Sequence, residues 1–293
     1  DLPSPERMEW IRAVERWTTA SKMHTPAQRR KLCIVALAEF LNDMPQLEVA
    51  VSVRTWWGIP SALETRLACR LASQENKFFS LWREHLIPSL AGDDLALGED
   101  LWDVITESED RILECLARYG MKRGWQKENA KEASEAWKKL ISARGNAEAS
   151  LSRQEFPLWA RGWIVYTPEY GREIHSALVA LLEDEQEIRH RLWRAQAALL
   201  LPKVDSVRIS ICDQLTQAFG STWTSWADEW EISPYPELGA IESALRKGPI
   251  PEPMKQRWLR VVRLVRETRN KLAHYKPISF QEFTEFWERT TPY

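Results

Sequence analysis

The chain lacks the features that mark several large functional classes. Its four cysteines, Cys33, Cys69, Cys115 and Cys212, are scattered, and no two form a C-x-x-C pair. That excludes a disulfide framework and the paired-cysteine zinc spacing, and predicts a reducing, cytoplasmic setting. No apolar run approaches the ~20 residues needed to span a bilayer, so no membrane association is expected. The opening stretch, DLPSPERMEW, has no signal-peptide pattern and no initiator methionine, which predicts a fragment or a processed product. Charge of one sign is missing too. With 40 basic against 42 acidic residues, bulk charge argues neither for nor against nucleic acid, and any basic surface must be local. No H-E-x-x-H, G-x-x-x-x-G-K-[ST] or G-x-S-x-G stretch occurs, nor a solenoid-period repeat or a low-complexity tract. His24 and His85 have no partner at metal-ligand spacing, and no cofactor or metal is expected.

Helical periodicity and tryptophan are what the chain has in quantity. Its 293 residues allow a sizeable core, and sixteen tryptophans favour tight packing. Ser4-Pro5 and Thr25-Pro26 are helix starts, and apolar residues recur at helical spacing through most of the remaining sequence. The expected fold class is mainly α. LEVAVSVR at 47–54 alternates at strand period, and GWIVYT is a second strand candidate, so a minor β hairpin is allowed for near 47–54. Between Gly145 and Gly171 the helical rhythm weakens around Pro157, Gly162 and Pro168. This predicts an N-terminal helical domain over 1–150 and a second domain over 171–293. The second begins with REIHSALVALLEDEQEIRHRLWRAQAALL as one helix, and its connections carry Pro202, Pro234, Pro236 and GPIPEP. Short, proline-rich connections predict an antiparallel helical bundle.

The most informative stretch is RETRNKLAHYKPIS, residues 266–279. On a helix, Trp258, Val261, Val262, Val265, Thr268 and Leu272 share one stripe, whereas Arg257, Arg260 and Arg263 fall away from it. Arg269, four residues after Val265, falls inside the stripe, so it is expected to face inward and to need a partner or a polar cavity. Pro277 forces the helix to end, and Ser279 with Glu282 forms a capping box for the next one. His274 therefore sits at or just past a helix C-terminus. Continued helix would place it about 140° from Arg269, too far around for one shared site.

The RNKLAH spacing, R-N-x-x-x-H, and its AHYKPIS continuation resemble the signature of the HEPN superfamily. That family consists of all-helical bundle domains, many of them metal-independent ribonucleases of toxin–antitoxin, abortive-infection and CRISPR-associated systems. The resemblance covers about ten residues specifically and the last ~120 in size and helix content. It implies that Arg269, Asn270 and His274 are catalytic. It also implies a homodimer in which two copies of the motif face each other across a cleft, an RNA substrate, a defence or toxin role and an antitoxin or regulatory partner. Arg266, Lys271 and Lys276 are the expected contacts to the RNA backbone.

The residue types suit that chemistry. When a 2′-hydroxyl attacks the adjacent phosphorus, histidine can move the protons, and arginine offers a fork of donors to the developing phosphorane charge. Asn270 can hold a phosphate oxygen or orient the arginine.

Blander readings remain. Arg269 could pair with a bundle carboxylate such as one at 183–187, and His274 could simply end a helix. The whole module could bind RNA or protein without catalysis, or be a scaffold. His175 and His190, in a charged segment, are expected at the surface. Arg189, Arg191 and Arg194 could track a phosphate backbone, although acidic neighbours favour a solvated face. Trp223, Trp226 and Trp230 read as core.

Overall fold

The computed structural model describes residues 66–70, 77–143, 155–167, 171–227 and 234–291, together with 9, 12, 13, 16, 17, 19–25 and 28. It is mainly helical, with one two-stranded antiparallel hairpin among the described residues. The strand candidate at 47–54 lies outside the described residues. The helices are α1 (Lys77–Ala91), α2 (Leu95–Leu101), α3 (Glu109–Lys122), α4 (Lys127–Ala143) and α5 (Phe156–Ala160). After them come α6 (Ser176–Leu181), α7 (Glu185–Phe219), α8 (Leu238–Lys247), α9 (Glu252–Ala273) and α10 (Phe280–Thr290).

The chain divides into two compact units. One comprises residues 1–59 and 138–162, where Leu158 of α5 is buried. The other comprises 60–137 and 163–293. This division differs from the expected 1–150 and 171–293, because α1 to α3 fall in the same unit as α6 to α10. The physical reason is visible in α1. Trp82, Leu86 and Leu90 are almost fully buried, and the helix packs on α7 and α10 from the other end of the chain.

Strand β1 (Ile164–Thr167) pairs with β2 (Gly171–Ile174), with Ile164 opposite Ile174. β1 falls within the second strand candidate. β2 corrects the single helix expected from Arg172 onward. The backbone stays extended through Ile174, and His175 then caps α6 by accepting the Ala177 N–H at Nδ1. A second break comes at Leu182–Asp184, where Glu183 takes φ 60° and Asp184 caps α7 by accepting the Glu187 N–H. Gly92, at φ 57°, ends α1 where a Cβ would lie 2.8 Å from Val165, so only glycine lets the hairpin approach this closely.

Helix α7 is the spine. Its 35 residues span about 50 Å at 1.5 Å per residue. Ile188, Leu192, Ala195, Leu199, Val204, Val207, Ile211 and Leu215 are buried along it. Pro202, expected in a connection, lies inside this helix. It sits on the exposed face, where the carbonyl it leaves unpaired can be hydrated, so the helix continues through it. Gly220 at φ 70° ends the helix, and a 3-10 turn (Ser221–Trp226) buries Trp223. Helices α8 and α9 form an antiparallel hairpin, tied by Arg263 and Arg266 of α9 to Glu242 of α8.

Candidate functional site at the end of α9

The apolar stripe of α9 behaves as its spacing requires. Trp258, Val261, Val262, Val265, Thr268 and Leu272 are all buried, and Arg257, Arg260 and Arg263 are exposed. Arg269 departs from the stripe. Its side chain is 47% exposed, with Nη2 3.5 Å from Glu237 Oε2, itself 66% exposed. The inward placement is corrected for a tertiary reason. Glu237 is the N-cap residue of the antiparallel α8, so the covering helix stops level with Arg269. Thr268 and Leu272, on either side of Arg269 in sequence, remain buried, so only the flank of the stripe that faces the start of α8 is open. The carboxylates at 183–187 do not supply the partner for Arg269.

Helix α9 ends as anticipated, with His274 as its C-cap residue at φ −103°. The ending is a Schellman motif: the Lys276 N–H donates to the Lys271 carbonyl at 2.9 Å and the Tyr275 N–H to the Leu272 carbonyl at 3.2 Å. The left-handed position of that motif, which glycine usually fills, is held here by Tyr275 at φ 57°. A non-glycine residue costs roughly 1–2 kcal/mol there. Downstream, the Ser279–Glu282 capping box is formed in both directions.

Two side chains of α7, one turn apart, hold this loop. The Trp193 indole donates to the Leu272 carbonyl at 2.6 Å. Gln196 is buried and reads both backbone groups of Ile278, donating to its carbonyl at 3.0 Å and accepting its N–H at 2.7 Å. Residues 273–277 are thus pinned at both ends, while Ala273, His274, Tyr275 and Lys276 stay exposed.

The expected site residues meet different surroundings. Asn270 is half-buried, and its carbonyl accepts the His274 N–H at 3.1 Å. Arg266 donates to Glu242 Oε2 at 2.6 Å and remains 47% exposed. Lys271 pairs with Glu282 across the loop. Lys276 is exposed beside His274. Arg269 leaves α9 beside Glu237 at the start of α8, whereas His274 is the C-cap residue five positions on, in the loop held by α7. The motif is therefore a single exposed helix end with two faces.

Glu242 is the electrostatic centre of the neighbouring surface. It is nearly buried and accepts hydrogen bonds from Arg246 at 2.5 Å, Arg263 at 3.1 Å and Arg266 at 2.6 Å. Burial alone would raise its carboxyl, but the three guanidinium bonds outweigh it and bring it down to about 2. Three arginines on one carboxylate leave a local cationic ridge leading along α9 toward Asn270 and His274. The near-neutral composition concealed this ridge.

Several residues were misplaced or missed by sequence reasoning. His190 is half-buried, with its ring 5.2 Å from Trp193 and 6.5 Å from Tyr275, so it adjoins the motif loop instead of standing apart on the surface. Arg189 and Arg194 are spent on ion pairs with Glu109 and Glu173. Arg191 is buried against Glu187, the Ile174 carbonyl and Ser176. These three arginines thus join elements of the fold and do not line a phosphate track.

His175, expected at the surface, is 1% exposed. Its Nδ1 accepts the Ala177 N–H, so Nε2 carries the proton and donates to Asp94 Oδ2 at 3.2 Å, an oxygen that also accepts the Tyr119 hydroxyl at 2.7 Å. Burial holds the imidazole below its usual value against the pull of Asp94. The Asp94 carboxyl, despite burial, is held well below its ordinary range by His175, Tyr119 and the Leu97 N–H. This cluster joins α2, α3 and α6 and is closed to substrate. Burial pushes the Cys69 and Cys212 thiols up to about 11, which makes them poor nucleophiles at neutral pH.

Among the described residues, no group of three or more His, Cys, Asp or Glu side chains could hold a metal ion, and no helix is long and apolar enough to cross a membrane. No protein-family model, no curated protein and no solved structure matches this chain, so its functional reading rests on the RNKLAH helix end and what surrounds it.

Proposed function

We propose that the C-terminal end of α9 is a metal-independent endoribonuclease site acting in a defence or toxin context, with Arg269, Asn270 and His274 as its working residues. One observation carries this reading. The three motif residues reach solvent at a helix end that α7 pins in place, and none of them is consumed by the core. A buried arginine locked on a carboxylate would have explained the sequence structurally, whereas the long, exposed pair with Glu237 contributes roughly 0–1 kcal/mol.

The chemistry rests on the residue types. His274 takes the proton of a 2′-hydroxyl as its oxygen bonds to phosphorus. The P–O5′ bond breaks, the 5′-oxygen is protonated, and the products are a 2′,3′-cyclic phosphate and a 5′-hydroxyl. Arg269 supplies paired donors to the equatorial oxygens as their charge grows. Because Arg269 leaves α9 beside the start of α8 and His274 lies in the loop held by α7, the working cleft is assembled from two copies, each His274 facing its partner's arginine. An antitoxin or other regulatory partner would restrain such an enzyme by covering this helix end.

The separate placement of Arg269 and His274 within one copy also supports a second reading, an RNA-binding module without catalysis. Incubating the protein with mixed RNA in EDTA separates the two. The ribonuclease reading expects cleavage with cyclic phosphate ends, a dimer by sedimentation, and resistance of DNA and 2′-O-methyl RNA. It also expects a loss of ~10²–10⁴-fold in both His274→Ala and Arg269→Ala. His24→Ala, at an exposed histidine in the other unit, is the control. A requirement for divalent metal, or full activity in His274→Ala, would overturn this reading. RNA binding with no cleavage would leave the module.

A further inference from the structure

We infer that Tyr275 is a base-stacking residue, and that the groove between it and the start of α7 receives one base of single-stranded RNA whose phosphate lies at His274; this rests on the ribonuclease reading above. Tyr275 occupies a backbone position that disfavours every side chain, yet it carries a large ring that is 65% exposed. Its ring is not adrift. The Trp193 ring lies 4.5 Å away at 50°, His190 stacks behind both, and Trp193 is itself fixed to the Leu272 carbonyl. A strained residue that the fold goes to this length to hold, with most of its ring left in water, is a candidate for contact with a ligand.

The groove beside it measures about 530 Å3 and is lined by Asp184, Gln186, Glu187, Arg189, His190 and Tyr275. Its charged groups already have partners in the fold. Asp184 caps α7, Glu187 pairs with Arg191, and Arg189 pairs with Glu109. What the groove offers a ligand is an aromatic face, an amide and an imidazole, groups that stack on a planar heterocycle and hydrogen-bond its edge. Two carboxylates on its rim disfavour phosphate. The phosphate is expected one residue to either side of Tyr275, where His274 and Lys276 are exposed. A base can enter only if it is unstacked from its neighbours, which specifies single-stranded RNA over duplex.

The test measures binding of a short, fluorescently labelled 2′-O-methyl oligonucleotide, which cannot be cleaved, by anisotropy. Tyr275→Gly should weaken binding about ten- to a hundred-fold, and Tyr275→Phe should bind almost as the parent does. Glycine also relieves the left-handed strain, so the melting temperature of Tyr275→Gly should hold or rise. An abasic position scanned along the oligonucleotide should, at one register, weaken the parent by a similar factor and leave Tyr275→Gly unaffected. If Tyr275→Gly binds like the parent while His274→Ala or Lys276→Ala weakens binding, the stacking role is wrong and the ribonuclease reading survives. If Tyr275→Gly instead loses binding only together with thermal stability, the residue is structural and the proposal fails. If the parent neither binds nor cuts RNA, both readings fall.

Discussion

Replacing Glu242 with glutamine should lower stability and raise RNA affinity at once. The carboxylate is buried and is shared by three guanidinium groups, each 45–58% exposed. A carboxyl moved from 4.5 to about 2 corresponds to an upper limit of roughly 3 kcal/mol at neutral pH. Water around the half-exposed arginines screens much of that, leaving about 1–2 kcal/mol. The sign of the pH dependence is fixed. A depressed carboxyl contributes its full stability above about pH 4.5, the unfolded value, and loses it as pH falls toward 2. Urea unfolding of parent and Glu242→Gln should therefore show a constant gap from pH 7 to about 4.5, with more than half of it gone by pH 3. In the folded variant the three guanidinium groups lose their counter-charge, so low-salt affinity for single-stranded RNA should rise and its salt dependence steepen. A gap below about 0.3 kcal/mol at pH 7, or one undiminished at pH 3, would refute the assignment of Glu242 as the hub. Unchanged RNA affinity would refute the ridge as part of the RNA path.

Gln196→Leu leaves two buried backbone groups of Ile278 without their partner and should cost ~1–3 kcal/mol by thermal unfolding, with RNA cleavage falling as the His274 loop loosens. An unmoved melting temperature would show that this clamp is idle. His175→Ala, which removes one of the three donors to Asp94 and empties a buried site, should cost ~2–4 kcal/mol, against under ~0.5 kcal/mol for the exposed His274→Ala. Because burial lowers the His175 pKa, the unfolded chain binds the proton more readily, and the parent should lose stability below about pH 6.5. His175→Ala should flatten that slope between pH 7 and 5, and an unaltered slope would assign it to other groups. A fragment of residues 171–293 lacks α1 and should show no cooperative urea transition, whereas a chain starting at Pro60 should keep one. Cooperative folding of the shorter fragment would restore the division at 145–171.

Local signals made much of the chain legible in advance. The apolar stripe of α9, its end before Pro277 and the Ser279–Glu282 box depend on residues within a few positions of one another, and all were readable. The mainly helical class comes from the same short-range preferences. What the sequence left undetermined was which surfaces would be covered, because cover comes from distant segments. Arg269 is exposed beside Glu237, where α8 begins, although Thr268 and Leu272 around it are buried. His175 is buried because Asp94, 81 residues away, meets it, and nothing in REIHSA announces that partner. The break at Leu182–Asp184 and the passage of α7 through the exposed Pro202 were not announced by local sequence either. For the candidate site, the sequence determined that Arg269, Asn270 and His274 share one helix end. Only the tertiary structure determined that this end is solvent-facing, pinned by Trp193 and Gln196, and flanked by the Tyr275 ring and the Glu242 arginines. Periodicity specifies the direction in which a side chain leaves its helix, and the length and position of the neighbouring helix decide whether anything stands there to meet it.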